Sequence, residues 1–359
     1  MSMYADDFYS FDESTRKLIL ESTLEKFGVC ISCESGMCGE IYIFDQGTNV
    51  YPRFVCAKVP KRLANCSSQE TARRFIYELR LQLKFYHNFF VHWPFDFREV
   101  LGVPVALFRY WGNDLGKLIK HSKVSEIEKL SIMVYACEGL KHCYRNGLVA
   151  HQDLKPSNIF LRDLTKDFIG LPSLDIYNAP LIADFGLSNA SINQGIFDGE
   201  RPYMAPEQWN RTVLSPSTDI FALGVILYEL MTDGFHPVGI KLHDFWPQPQ
   251  NGNSKKWTRG DAWRRWVDRG CIIDGSQIQV DPKLLHLVKR MVSTDPKCRP
   301  SIADVTNSLL CLMETRSKAS YEQVTFLTDY FERQVSNKPL EQQWPHLFRV
   351  WNRFEEKFG

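Results

Sequence analysis

Thirteen consecutive residues from Asp219 to Met231, Asp-Ile-Phe-Ala-Leu-Gly-Val-Ile-Leu-Tyr-Glu-Leu-Met, are apolar on nearly every side of a helix. A bilayer span needs about 20 such residues, and this run is shorter and acidic at its edges. A helix of this kind is the buried axis of a large helical domain. The chain can supply the surrounding core, because its 359 residues are 44% apolar and 24% charged, enough for two or three packed units. No other apolar run approaches a membrane span, and the start, Met1 to Asp7, is acidic. The expectation is a soluble cytoplasmic protein, with the nucleus left open.

A formal charge of +1, with Lys and Arg scattered among Asp and Glu, gives no strong nucleic-acid signal. Ten cysteines in so long a chain suit free, partly buried thiols better than a disulfide framework. Cys30 and Cys33 have C-x-x-C spacing, but no second pair or neighbouring histidine completes a zinc set.

The pattern changes once along the chain. From about Phe27 to Tyr110, short apolar runs alternate with turn residues around one helical stretch, Gln69 to Phe85. Beyond Trp111 the spacing is helical. Ser125 and Glu128 form a capping box, apolar residues recur at Ile127, Leu130, Val134, Cys137 and Leu140, and Asn146-Gly147 ends the run. A stretch rich in Trp, Gln, Asn, Gly and Arg from Val238 to Ser276 reads as an elaborated loop, with a short helix around Ala262 to Val267. Tyr321 to Arg333 and Trp344 to Phe358 are amphipathic again.

Several charged residues stand where chemistry needs them. His151-Gln-Asp153-Leu-Lys155-Pro-Ser-Asn158 gathers a carboxylate, an amine and an amide in one loop, and Asp184-Phe-Gly adds a second carboxylate. That inventory suits metal ions, a nucleotide and a hydroxyl nucleophile. Upstream, Glu34 to Tyr42 forms a glycine-bearing turn, with Gly36 and Gly39 placed to bring backbone amides to phosphate, although an ordinary hairpin has the same spelling. Lys58 is one cation in an otherwise apolar strand, and Glu78 lies on the helical stretch as its candidate partner, with Glu70 as the alternative.

From the glycine turn to about Leu312 the chain resembles a eukaryotic-type protein kinase of the serine/threonine type. The resemblance rests on the His151 to Asn158 loop, Asp184-Phe-Gly, Ala205-Pro-Glu207, the Asp219 helix and Asp295-Pro-x-x-Arg299 in order. It implies an α+β, bilobal fold: a small β-rich N-lobe of about residues 27–110 with one main helix, and a larger, mainly helical C-lobe of about 111–317. An N-terminal extension, 1–26, and a helical tail, 318–359, flank them. It implies ATP and Mg2+ as cofactors and a protein substrate. Asp153 would accept the proton of the acceptor hydroxyl, Lys155 would neutralise the transferred group, and Asn158 and Asp184 would hold magnesium. Lys58, fixed by Glu78, would meet the phosphates. Ile41, Ala57 and Phe160 match the positions that sandwich adenine, Phe108 the back of that pocket, and Arg109, Tyr110 and Trp111 the hinge. Asp114 is placed for the ribose or, equally, for a helix cap. Glu207 and Arg299 match a structural staple.

The chain departs from that family at four single residues and in the length from Asp153 to Asp184, where Arg162 to Ala179 reads as a surface insertion between two strands. Gln152 replaces an arginine that commonly receives an activation-segment phosphate, so activity independent of loop phosphorylation is expected. Glu200 stands where threonine is common and would either pair with Lys155 or repel Asp153. Glu34 replaces the first glycine of the phosphate turn, and Gln82 a usually apolar packing position. These motivate the alternative of a nucleotide-binding pseudokinase scaffold. Tyr321 to Arg333 also faintly resembles the start of a ribonuclease module appended to some sensor kinases, although about 40 residues are too few for one. The 238–276 insertion and the 318–359 tail are the candidate sites for a protein partner.

Overall fold

The strand-like runs of the first third are β1 (Val29–Ser35), β2 (Gly39–Asp45), β3 (Phe54–Pro60), β4 (Asp96–Val100) and β5 (Val103–Arg109). They pair antiparallel into one sheet of order β1-β2-β3-β5-β4. The computed structural model describes residues 4–35, 39–62, 66–121, 123–189, 195–275, 280–334 and 338–359. The chain divides into two units, residues 1–87, 92–112 and 336–359 in the first, and 88–91 and 113–335 in the second.

In the first unit both faces of the sheet are covered, as the two-residue period of a strand allows. Tyr42, Phe44, Val55, Ala57, Val59, Val105 and Leu107 face one way and bury Ala5, Phe8, Leu20 and Leu24 from the N-terminal segment. That segment is helical, α1 (Tyr4–Ser10) and α2 (Glu13–Thr23), so residues 4–23 belong to the core of this unit. Asp12 caps α2 by accepting from the Thr15 amide. The opposite face, with Ile43, Cys56, Ala106 and Phe108, packs on α3 (Ser68–Leu83) through Phe75, Ile76 and Leu79.

The same cluster takes in a helix from far along the chain. Leu347, Trp351, Phe354 and Phe358 recur at intervals of three and four residues on Pro345–Phe358 and are all buried there. Trp351 and Phe354 lie 5.0 and 5.2 Å from the Phe97 ring. Arg80 of α3 bonds Glu355 at 2.5 Å, and Lys357 pairs with Glu99. The expected helical tail is therefore divided, its last helix completing the first unit.

The second unit is built on the Asp219 helix, observed as Pro216–Met231 and buried from Thr218 to Leu230. Pro282–Met291 packs against it. α4 (Leu115–His121) and α5 (Glu126–Arg145) precede a two-stranded hairpin, β6 (Ile159–Asp163) and β7 (Asn178–Ile182). Ile302–Arg316 lies along α5, and Lys318–Gln334 contacts both. Val324, Leu327 and Phe331 of that last helix are buried, so the apolar face available to a partner is reduced to Phe326 and Tyr330. In the 238–276 stretch the helix runs from Gly260 to Asp268 around a fully buried Trp263. No described helix is long and apolar enough to cross a membrane.

Candidate active site

In the first unit, the phase of β3 decides which side chains share a face with Lys58. Lys58 lies opposite Ile41 on β2 and Ala106 on β5, and its Nζ donates to Glu78 Oε1 at 2.5 Å. Both side chains are nearly buried, at 11% and 7% exposure, so the pair is desolvated and each charge depends on the other. Glu70, the alternative partner, instead pairs with Arg74 on the helix surface.

Alternation corrects one adenine-site expectation. Ala57 packs with Phe44 and Leu20 on the far side of the sheet, whereas Cys56 belongs with Ile43, Ala106 and Phe108 in the cluster of the other face. Counting two back from Lys58 gives Cys56, and Cys56 sits directly across from Phe108. Ile41 packs on that same cluster. Gly36 lies outside the described residues. Gly39 opens β2, where a Cβ would come within 2.9 Å of the Val59 carbonyl oxygen, so this close strand approach needs glycine.

Past Phe108 the chain is pinned from behind. The His92 ring lies 5.0 Å from Phe108, and its Nε2 is 3.0 Å from the Arg109 carbonyl oxygen. Burial pushes His92 down to about 4, so the ring is neutral at pH 7. Gln82, polar at a position expected to be apolar, donates its buried amide to the His92 carbonyl at 2.6 Å. Its polarity is thereby satisfied. The Arg109 guanidinium stacks on Tyr51 and Trp111, and Tyr110 meets Phe54 edge-on.

In the second unit, the loop after α5 is organised by a residue whose role the sequence did not reveal. Asp219 accepts from the amides of His151 and Gln152, at 2.8 and 3.2 Å, and from the Tyr144 hydroxyl at 3.0 Å. Burial lifts its pKa to about 7, although all three bonds favour the charged form. Gln152 itself has φ +70, a left-handed conformation in the middle of the loop. Its side-chain amide donates to the Leu187 carbonyl at 2.7 Å, beyond Asp184. His151 approaches the Ala183 carbonyl at 3.1 Å and the Phe185 ring at 4.9 Å.

Asp153 is nearly buried and held at both oxygens. Oδ1 accepts from the Glu200 amide at 2.9 Å, and Oδ2 from Asn158 Nδ2 at 3.1 Å and Lys155 Nζ at 3.0 Å. Burial raises its pKa, opposed by Lys155 and reinforced by Asp184 and Glu200. For Lys155 burial acts downward, but Asp153, Glu200 and Asp184 more than offset it and leave the amine firmly charged. Glu200 does both: its Oε2 is 3.3 Å from Lys155 Nζ, and its charge adds to the rise at Asp153. The segment carrying Glu200 comes so close that a Cβ on Gly199 would stand 2.6 Å from the Gln152 carbonyl oxygen.

The amide nitrogen of Asn158 faces two acceptors, the carboxylate and the main-chain oxygen of Asp153, which leaves its carbonyl oxygen as the coordinating end. Asp184, at φ +60, supplies a carboxylate from the turn after β7. An amide oxygen and a carboxylate are hard oxygen donors that fit magnesium completed by phosphate and water. Asp114 acts as a cap, accepting from the Lys117 amide at 2.9 Å, and forms a bridge to Phe160 on β6. Glu207 and Arg299 make a bidentate pair at 2.6 and 2.9 Å with almost no exposure. Ser188 is buried with its hydroxyl toward the His151 carbonyl, and Ser191 lies outside the described residues.

Residues 36–310 match the family model described as a protein kinase domain. Among curated proteins, the chain is 29% identical over 267 residues to calcium-dependent protein kinase 17 of Arabidopsis thaliana, covering 71% of this chain and 44% of that protein. It is 25% identical over 249 residues to the serine/threonine-protein kinase ATG1 of Kluyveromyces lactis, covering 62% and 27%. It is 27% identical over 217 residues to the membrane-associated tyrosine- and threonine-specific cdc2-inhibitory kinase wee-1.3 of Caenorhabditis elegans, covering 59% and 27%. The chain spans less than half the length of these relatives.

Proposed function

Because this chain belongs to the protein kinase domain family, we propose that it transfers the γ-phosphoryl group of ATP to serine and threonine hydroxyls of a protein substrate. The observation that carries this reading is the fixed Asp153. Its carboxylate is locked by an amide, a backbone N–H and an ammonium. Its pKa is raised by burial, which strengthens it as a proton acceptor. Asp153 takes the proton of the attacking hydroxyl, and Lys155 stabilises charge on the group in transfer. Lys58, oriented by Glu78, binds the nucleotide phosphates. Magnesium held by Asn158 and Asp184 would neutralise phosphate charge. In the first unit, Ile41 joins Cys56 as an apolar contact for adenine.

Activity is independent of activation-segment phosphorylation in this reading. Gln152 spends its amide on Leu187 and carries no charge to receive a phosphate, while Ser188 is buried. The test is transfer of radiolabelled phosphate to a generic protein, by the wild type, Asp184→Ala, and a double Ser188→Ala, Ser191→Ala variant. Transfer by the wild type and the double variant is expected. No signal above Asp184→Ala would favour a nucleotide-binding scaffold, and an inactive double variant would restore the phosphate switch.

A further inference from the structure

Glu200 places a second carboxylate beside Lys155, and the surroundings of its other oxygen are not incidental. Oε1 accepts from the indole N–H of Trp246 at 2.5 Å, while Oε2 faces Lys155. Trp246 comes from the 238–276 insertion, 46 positions away in sequence. It is held on a prepared surface. Its ring stands edge-on to the fully buried Trp263, 5.9 Å between centroids at 88°, and Trp263 donates its own indole N–H to the Trp257 carbonyl at 2.7 Å. The Trp246 amide bonds the Leu242 carbonyl at 2.9 Å, and the Arg201 guanidinium lies 5.8 Å from the ring.

We propose that Trp246 is a positioning residue for phosphoryl transfer: its indole N–H anchors the Glu200 carboxylate so that Lys155 is held between Glu200 and Asp153. A carboxylate can only accept, and it repels the carboxylate of Asp153, so its preferred place absent an anchor is out in water, where it is already 29% exposed. A donor on the far side of Lys155 removes that freedom. Lys155 is then shared between two carboxylates, 3.0 Å from Asp153 and 3.3 Å from Glu200, which weakens its hold on Asp153 and leaves that carboxylate the better proton acceptor. The insertion thus acts on the catalytic loop through one hydrogen bond.

The inference rests on the kinase reading, and its test separates the two. Trp246→Phe keeps an aromatic ring against Trp263 and removes only the N–H. It should lower kcat about tenfold, the weight of one charge-assisted hydrogen bond, with the KM for ATP unchanged. Glu200→Gln has a single acceptor oxygen, which Lys155 takes, leaving an amide N–H against the indole N–H. In that background Trp246→Phe should cause no further loss. The Trp246 indole resonance, identified by its disappearance in Trp246→Phe, should move upfield in Glu200→Gln. An unchanged kcat in Trp246→Phe, the same loss in both backgrounds, or an unmoved indole resonance overturns the proposal. A wild type without transfer activity overturns the kinase reading, and the indole resonance still decides the anchor.

Discussion

Trp351→Ala tests whether the helix Pro345–Phe358 is part of the core of the first unit. The Trp351 side chain is 5% exposed, 5.0 Å from the Phe97 ring and 6.2 Å from Phe354, and clusters with Phe75, Ile76 and Leu79 of α3. Truncating an aromatic at such a position removes its burial and leaves a cavity, together about 3–5 kcal/mol. A domain holds only about 5–15 kcal/mol in total. Glu355→Ala on the same helix is the control. It breaks a pair with Arg80 whose side chains are 29% and 48% exposed, a change worth about 0–1 kcal/mol. Urea unfolding followed by circular dichroism should show a lower midpoint for Trp351→Ala at similar slope, and near wild-type behaviour for Glu355→Ala. Because Glu78 rides on α3, phosphate transfer should fall with it. A loss below about 1 kcal/mol for Trp351→Ala would refute the shared core.

Two further outcomes follow from buried charges. Arg299→Met leaves Glu207 buried without its bidentate partner and should cost about 3–5 kcal/mol in denaturant unfolding, whereas a loss under about 1 kcal/mol would mean that the pair does not hold the segment end. Glu229 bonds the Tyr203 hydroxyl at 2.7 Å and is raised by burial to about 7. The folded state therefore binds more protons than the unfolded one between the ordinary carboxylate range and about 7, so this group's contribution to stability falls as pH rises through that window. Glu229→Gln should gain relative to the wild type from pH 5 to pH 7.5 by unfolding midpoint, and a constant difference would contradict the raised value.

The polar residues proposed for the site could be chosen from the sequence because their types and spacing are spelled out locally. Lys58, Glu78, Asp153, Asn158 and Asp184 could be picked without knowing which strand pairs with which. The adenine face was displaced by one residue, since Ala57 is a plausible small side chain until the strand period from Lys58 assigns that face to Cys56. The pairing of Glu200 with Trp246 was illegible, because a loop residue's reach depends on how 46 intervening positions fold. Asp219 was read as the edge of an apolar helix, and only tertiary structure shows it holding the amides of His151 and Gln152. The amphipathic spacing of Trp344 to Phe358 announced a buried face, yet a helix's period does not name the surface that receives it. Residues 4–23 were passed over as an acidic extension, their few apolar side chains being aligned only once the helices form.

The membership of Leu347, Trp351, Phe354 and Phe358 in the first unit also bears on the order of events during synthesis. A chain emerges from the ribosome in sequence, and units usually fold as they appear. Here the sheet and α3 emerge more than 200 residues before the helix that covers their exposed apolar side. The unit made first must therefore wait, incompletely closed, while the second is made, and the Lys58–Glu78 pair gains its final support only when residues 345–358 arrive. Premature termination between Gln334 and Trp351 would yield a chain whose second unit is made but whose first has an open sheet face, a natural target for chaperones and proteases.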